Sequence, residues 1–147
     1  MEEYKYLIVP VATLIIAQLI KFTIESIAEK KLKWGRLFNG AGGMPSAHSS
    51  FSFSLVTMIG LNEGFTSILF AITLIFSMIV AYDAMGLRME SGKHAQALNK
   101  IVEEIFSRNY KSGIVKLKEE MGHNPSEVFA GILLAIVMGF IFTYIIF

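Results

Sequence analysis

The 147-residue chain has no cysteine, three prolines, one tryptophan and three histidines. Without cysteine, disulfides and thiolate chemistry are excluded, and three histidines with no cysteine partner disfavour a structural zinc site. Charged residues make up 17% of the chain, and the formal net charge of +1 says little as a sum. We expect no nucleic-acid partner.

Apolar side chains are abundant instead. Hydrophobic residues make up 54% of the chain and include twelve phenylalanines, which is too apolar for a soluble domain of this length. The sequence therefore predicts a single integral membrane domain over residues 1–147. We expect no cleavable signal peptide, because the first apolar segment follows Glu2 and Glu3 and is too long for the core of one.

Apolar runs and helical periodicity predict the fold class. The predicted crossing helices are 7–27, 46–61, 65–87 and 128–147. Apolar and charged residues alternate at helical spacing within 92–118, which indicates an amphipathic helix. Residues 109–113 are predicted to break this helix, and a shorter amphipathic piece is predicted over 114–121. We therefore expect an all-α, polytopic membrane helix bundle with about four membrane-crossing helices and one or two amphipathic interfacial helices.

The distribution of charge predicts an orientation. With four crossings, the connectors 29–45 and 88–124 lie on the same side of the membrane and hold 11 of the 13 basic residues. By the positive-inside rule this side is cytoplasmic. We expect an inner or plasma membrane protein with its candidate site facing the cytoplasm.

The segment Gly42–Ser50, with sequence GGMPSAHSS, is small, glycine-rich and directly followed by an apolar run. It predicts a turn at the start of a helix, where unpaired N–H groups and the positive end of the helix dipole suit a phosphate. His48, in the first helical turn, can exchange a proton beside such an anion. The alternative is that Ser46 only caps the helix and His48 is an ordinary interfacial residue.

Charged residues within the apolar segments are the next candidates. Lys21 shares a helix face with Gln18 and Glu25, so it either binds an anion inside the bundle or snorkels to the interface. Asp83 closes an apolar helix and requires a partner. Arg88, five residues later, either pairs with Asp83 at the interface or holds a phosphate through its planar fork.

The last apolar run is preceded by Gly-His-Asn-Pro-Ser-Glu at 122–127. Asn124 as N-cap, Pro125 as first helical residue and Glu127 as third form a capping-box pattern. The pattern alone accounts for Glu127. The same spacing also lets this carboxylate approach His123, fix the tautomer of its ring and raise its nucleophilicity.

Taken together, these segments resemble the divergent branch of the type-2 phosphatidic acid phosphatase superfamily, which is related to acid phosphatases and vanadium-dependent haloperoxidases. The resemblance rests on GGMPSAHSS, on YDAMGLR followed by SGKHAQALN, and on GHNPSEVFAG. It implies His48 as general acid, His123 as nucleophile and Glu127 as the carboxylate that orients it. It also implies phosphate contacts from Lys21, Ser46 and Arg88, supported by Asp83, and no metal or other cofactor.

The chain departs from the superfamily pattern in two places. In the third motif, 34 residues separate Arg88 from His123, and a second assignment places His94 at the usual distance from Arg88. That assignment puts Leu98 where the carboxylate belongs, so His123 is preferred and His94 is interpreted as helix surface or a substrate contact. In the first motif no lysine stands seven residues before an arginine, and Lys21 is the closest equivalent.

The resemblance implies hydrolysis of a lipid phosphomonoester, such as phosphatidic acid, phosphatidylglycerophosphate or a polyprenyl phosphate, through a phosphohistidine. Two alternatives remain open from the sequence. One is an inactive protein that binds lipid phosphates or acts as a scaffold. The other is a small transporter or assembly factor that uses Lys21, Glu25 and Asp83. A homodimer that shares membrane helices is a further expectation, since four spans leave little room for a closed pocket.

Overall fold

The computed structural model describes residues 4–30, 43–106, 116, 117, 119 and 122–146, without the side chains of Arg88, Ile105 and Phe106. In these ranges the chain is entirely helical apart from turns and connections, and it contains no strand. This confirms the predicted all-α membrane helix bundle. The helices are α1 (Lys5–Glu29), α2 (Ala47–Glu63), α3 (Ile68–Met85), α4 (Leu87–Phe106) and α5 (Pro125–Ile141), and a π-helical turn (Phe142–Ile146) extends α5.

Helices α1 and α2 run antiparallel over their full length. At one end Lys5 Nζ donates to Asn62 Oδ1 at 2.6 Å, which joins the start of α1 to the last turn of α2. At the other end Gly43, which precedes α2, packs against Lys21, so that a Cβ built on Gly43 would lie 3.4 Å from the lysine Cγ. Contacts near both ends therefore fix the position of α2 along the axis of α1.

Helix α5 runs parallel to α2. Their starts are joined by the Ser46 N–H, which donates to the Glu127 carbonyl at 2.9 Å. Near their other ends, Thr143 Oγ1 lies 3.2 Å from Met58 Sδ. Helix α2 also packs against α1 and α3, so it is the central helix of the bundle.

Four segments meet at one end of the bundle, which we call the motif end. The starts of α2 and α5 lie there, with the Lys21 region of α1. The end of α3 joins them, because the His123 N–H donates to the Ala84 carbonyl at 2.9 Å. The motif end thus gathers residues from every predicted motif of the chain.

Three helical stretches of the described chain are long and apolar enough to cross a membrane: Lys5–Glu29, Ile68–Glu104 and Pro125–Ile146. Helix α2 has 17 residues, about 25 Å at 1.5 Å per residue. It is shorter and richer in serine than the others. Because it contacts α1 near both of its ends, through the Lys5 to Asn62 hydrogen bond and the packing of Gly43 on Lys21, α2 nevertheless extends between the same two ends of the bundle.

One sequence prediction is wrong in detail. A short helix was expected over 114–121, but Lys116, Leu117 and Glu119, its described residues, are not helical. The reason is that the Asn99 side chain bonds both main-chain groups of Leu117, which a helix would use internally. Residues 31–42 of the first connector and the predicted break at 109–113 lie outside the described residues.

Candidate active site

A buried histidine and a carboxylate face each other at the start of α5. His123 is 3% exposed, and its Nδ1 lies 2.8 Å from Glu127 Oε2. The same carboxylate oxygen accepts the Asn124 N–H at 3.3 Å, and Pro125 follows as the first helical residue. One carboxylate oxygen therefore both caps the start of α5 and contacts the His123 ring, while the catalytic role of that contact stays a prediction.

This contact determines the chemistry available to His123. An ionised carboxylate oxygen only accepts hydrogen bonds, so Nδ1 carries the proton in this pair. In the neutral ring, the other nitrogen, Nε2, then has its lone pair. A histidine held in this tautomer by a carboxylate has the arrangement required of a nucleophile or a general base.

Ser46 joins the second motif to this pair. It is the N-cap of α2, with its Oγ 3.4 Å from the Ser49 N–H and 3.0 Å from the Ser49 Oγ. It is completely buried, and its N–H donates to the Glu127 carbonyl. The capping role of Ser46 is therefore correct. Because its hydroxyl is enclosed, an anion at this position would meet the first-turn N–H groups rather than the Ser46 side chain.

The parallel starts of α2 and α5 also set the local electrostatics. Each helix N-terminus carries about half a positive elementary charge. Ser46 and Glu127 are hydrogen-bonded across the two starts, so both positive ends lie at the same point of the motif end. Such a pair of helix starts favours the binding of a phosphate at the motif end.

Lys21 lies inside the bundle and does not snorkel. It is 1% exposed, and its Cγ and Cδ pack under Gly43. Glu25 lies beside it, with Oε1 2.7 Å from a Cβ built on Gly43. Gly43 has φ = 82°, so only glycine supplies both the conformation and the space this turn requires. A buried cation thus supports the glycine turn that leads into α2.

The remaining acidic and basic candidates lie where α3 meets α4. Asp83 is half-buried in the last turn of α3, directly before Ala84, whose carbonyl accepts the His123 N–H. Arg88 is the second residue of α4, and its side chain lies outside the described residues. The chain between Arg88 and His123 thus returns to the point near which it left, because the Ala84 carbonyl at the end of α3 accepts the His123 N–H.

The two other histidines are both exposed but lie on different elements. His48 lies in the first turn of α2, two residues after the Ser46 cap. His94 lies on α4, the helix inserted between Arg88 and His123. Only His48 belongs to a helix whose start is bonded to the His123 and Glu127 pair. Among the described residues, no three His, Asp or Glu side chains are grouped as metal ligands would be.

Gly131 is a site residue that the sequence reasoning left without a role. A Cβ at this position would lie 2.6 Å from the Ser46 carbonyl oxygen and 3.2 Å from the Ser49 Cβ. Only glycine allows α5 to approach the start of α2 this closely. The signal was present, since Gly131 lies four residues after Glu127 and therefore on the same helix face.

The chain is similar to known membrane proteins. Residues 3–138 match the sequence model of the divergent PAP2 family. The chain belongs to the divergent PAP2 family. A relative is the Bacillus subtilis (strain 168) membrane protein YuiD, which is named as uncharacterized. The two are 40% identical over 146 residues, covering 89% of this chain and 91% of YuiD. No solved structure is significantly similar to the chain.

This divergent PAP2 protein also has an apolar groove next to the motif end. The groove has a volume of about 600 Å³ and lies between α2, α3 and α5. One wall begins with Val128, the residue after Glu127, and continues through Ile132. Another wall includes Ala81 and Met85, which flank the turn containing Ala84. The volume is in the usual range of about 300–1,000 Å³ for ligand pockets.

Proposed function

We propose that the protein is a membrane-embedded phosphatase that hydrolyses a lipid phosphomonoester through a phosphohistidine. The observation that carries this proposal is the position of Glu127. Its side chain holds the His123 ring, and its carbonyl holds the start of the helix that bears His48. A nucleophile and a proton donor from separate motifs are thereby assigned to one site.

In the first step, His123 Nε2 attacks phosphorus and forms the P–N bond while the bond from phosphorus to the lipid oxygen breaks. Protonated His48 gives its proton to that oxygen, so the lipid leaves as a neutral alcohol. In the second step, water attacks phosphorus, His48 takes a proton from it and the P–N bond breaks. Inorganic phosphate leaves, and both histidines return to their starting states.

The phosphoryl oxygens require positive groups throughout this sequence, because charge on them must be balanced in both transition states. We assign this role to Lys21, to the first-turn N–H groups beyond Ser46 and to Arg88. The burial of Lys21 beneath the glycine turn and the paired helix starts support the assignment. Asp83 is assigned a supporting role beside Ala84 at the end of α3.

The apolar groove favours a lipid substrate over a water-soluble phosphate. Its walls continue directly from Glu127 and from the turn around Ala84, so a phosphate at the motif end has a hydrocarbon path beside it. Burial of each methylene contributes about 0.8 kcal/mol, so a chain in this groove would contribute substantially to binding. Phosphatidic acid, phosphatidylglycerophosphate and polyprenyl phosphates all fit this description.

The test is phosphate release from purified protein in liposomes that contain each of these lipid phosphates, without added metal. His123→Ala should abolish turnover and the covalent phosphoryl-protein. His48→Ala should lower kcat by about 10²–10⁴-fold, as expected for loss of a general acid. A nitrophenyl phosphate has a leaving group that needs no protonation, so it should restore the first step, seen as a burst of released nitrophenol, in His48→Ala but not in His123→Ala. His94→Ala is the matched control and should retain activity.

The competing outcome is binding without turnover. If folded wild-type protein retains lipid phosphates but releases no phosphate from any of them, the phosphatase proposal is wrong and a lipid-phosphate-binding protein is favoured. If neither binding nor turnover is detected, a transporter or assembly role becomes the better hypothesis.

A further inference from the structure

A buried asparagine on α4 holds the chain segment that leads to His123. Asn99 is 7% exposed, and its Oδ1 accepts the Leu117 N–H at 2.9 Å. Its Nδ2 donates to the Leu117 carbonyl at 2.8 Å and to Glu119 Oε1 at 2.7 Å. The two protons on Nδ2 and one lone pair of Oδ1 are therefore engaged by a segment 18 to 20 residues further along the chain.

These contacts fix both the position and the register of the returning segment. One side chain satisfies both main-chain groups of Leu117, as a neighbouring strand would do. The bond to Glu119 adds a second point two residues further on. A shift of the segment by one residue would break all three bonds. The segment is thus docked on α4 at a defined place, although its described residues are not helical.

The docked segment is close to His123 along the chain. Six residues after Leu117, the His123 N–H is bonded to the Ala84 carbonyl. Six residues span at most about 20–22 Å, so the contact with Asn99 confines His123 to that distance from α4. The segment also has an exposed ion pair with α4, Lys116 Nζ to Glu103 Oε1 at 3.4 Å, which contributes little because both side chains are in water. Without the Asn99 contacts, the nearest firmly held point before His123 on the described chain is the end of α4 at Phe106, 17 residues away.

We infer that Asn99 is a positioning residue that seats His123 at the active site by docking the returning segment on α4. This inference rests on the proposed function for its effect on turnover. The entropic cost of closing a loop depends on its length to about the 3/2 power. The Asn99 contact shortens the free chain before His123 from 17 to 6 residues. This raises the population of His123 in its active-site position, relative to positions away from it, by roughly fivefold.

The first test compares Asn99→Ala with Asn62→Ala. Asn62 is a matched control, because it is also a helical asparagine with side-chain bonds but lies at the opposite end of the bundle. For Asn99→Ala we expect kcat to fall about fivefold with KM changed less than twofold, because the nucleophile is seated less often while the phosphate and chain sites are intact. Asn62→Ala should retain the wild-type kcat.

A second pair of variants covers the case in which Asn99→Ala does not fold. Glu119→Ala removes one of the three bonds and should lower kcat about twofold. Glu119→Gln keeps an oxygen that can accept from Asn99 Nδ2, so it should restore the wild-type kcat. Equal kcat values for Glu119→Ala and wild type would overturn the inference, whether or not Asn99→Ala folds.

Hydrogen exchange at the His123 amide separates this inference from the proposed function, because it requires no turnover. If Asn99 seats His123, exchange of this amide should accelerate several-fold in Asn99→Ala and remain unchanged in Asn62→Ala. An inactive wild type with this exchange pattern would refute the phosphatase but support the positioning role. Unchanged exchange in folded Asn99→Ala would refute the positioning role even if the wild type is an active phosphatase.

Discussion

The main-chain N–H of Ser46 donates to the main-chain carbonyl of Glu127 at 2.9 Å. This hydrogen bond joins the starts of two parallel helices. The side chain of the same Glu127 contacts His123, with Oε2 2.8 Å from the ring Nδ1. The distance between the two histidines that we assign to catalysis therefore depends on one residue and on the close packing around it. The first two predictions follow from this relationship.

Glu127 should be required for turnover more than for stability. Glu127→Ala removes the acceptor of both the His123 ring and the Asn124 N–H, so we expect a loss of activity of about 10²–10⁴-fold, as for other carboxylates that orient a histidine. Loss of the helix cap should lower the free energy of unfolding by about 0.5–2 kcal/mol. Glu127→Gln keeps an acceptor oxygen without charge and should be intermediate in activity.

Ser126→Ala serves as the control for Glu127, because Ser126 is exposed in the same first turn of α5. It should leave both the activity and the thermal unfolding midpoint close to wild type. Full activity in folded Glu127→Ala would show that His123 is not held by this carboxylate during the reaction.

Gly131→Ala should separate α5 from α2 at the active site. The added Cβ would lie 2.6 Å from the Ser46 carbonyl oxygen, and a main-chain atom cannot easily move away. Overpacking of this kind costs about 1–3 kcal/mol of stability, and here it should also abolish activity by breaking the Ser46 to Glu127 bond. Thermal unfolding and activity per folded protein measure the two effects.

Gly139→Ala is the matched control for Gly131→Ala. Its Cβ would lie 2.5 Å from Thr57 Cγ2 in the same pair of helices but further from the motif end. We expect a loss of stability with activity retained. Equal losses of activity in the two variants would mean that overall packing of α2 on α5, rather than contact at the site, is what turnover requires.

Lys21 should contribute its charge to the reaction. Lys21→Met keeps most of the side-chain volume beneath Gly43 but removes the cation, and loss of one group that stabilises a transition-state charge typically costs about 10²–10³-fold in kcat. The control is Lys5→Met, which removes a cation from the opposite end of the same helix. If both variants turn over lipid phosphate at the wild-type rate, Lys21 is a packing residue and has no role in phosphate stabilisation.

The groove should determine the preference for long hydrocarbon chains. Ile132→Trp places a larger side chain on the groove wall, and displacing about two methylenes at 0.8 kcal/mol each should raise KM about tenfold for a long-chain lipid phosphate. A short-chain analogue should be unaffected. Leu133→Trp is the control, since Leu133 is 65% exposed and does not line the groove. Similar KM values for Ile132→Trp and wild type would mean that the hydrocarbon chain of the substrate does not bind in the groove.

The orientation in the membrane can be measured directly because the chain has no native cysteine. Thr66→Cys and Lys100→Cys introduce single thiols at exposed positions, in the turn between α2 and α3 and on α4. With the motif end facing the cytoplasm, a membrane-impermeant thiol reagent should label intact cells at position 66 only. Labelling at position 100 should require permeabilised cells. The reverse pattern would place the active site on the outer face.

Local chemistry made part of this protein predictable from its sequence. Long apolar runs determined the helical membrane bundle, since a chain in lipid must satisfy its backbone groups internally. The Ser46 cap and the capping box at Asn124 were predicted for the same reason, because each involves residues within one helical turn. The His123 to Glu127 contact also belongs to this group, as it spans four residues.

Contacts between distant segments were decided only by the tertiary structure. Whether Lys21 snorkels or is buried depends on whether another helix covers its face, and the approach of Gly43 settles this. The bonds from Ser46 to Glu127, from Ala84 to His123 and from Asn99 to Leu117 follow from helix packing, which no local pattern encodes. The sequence by itself determined the membrane helices and the residues of each motif. Only the packing of α2, α3 and α5 placed the end of α3 beside His123.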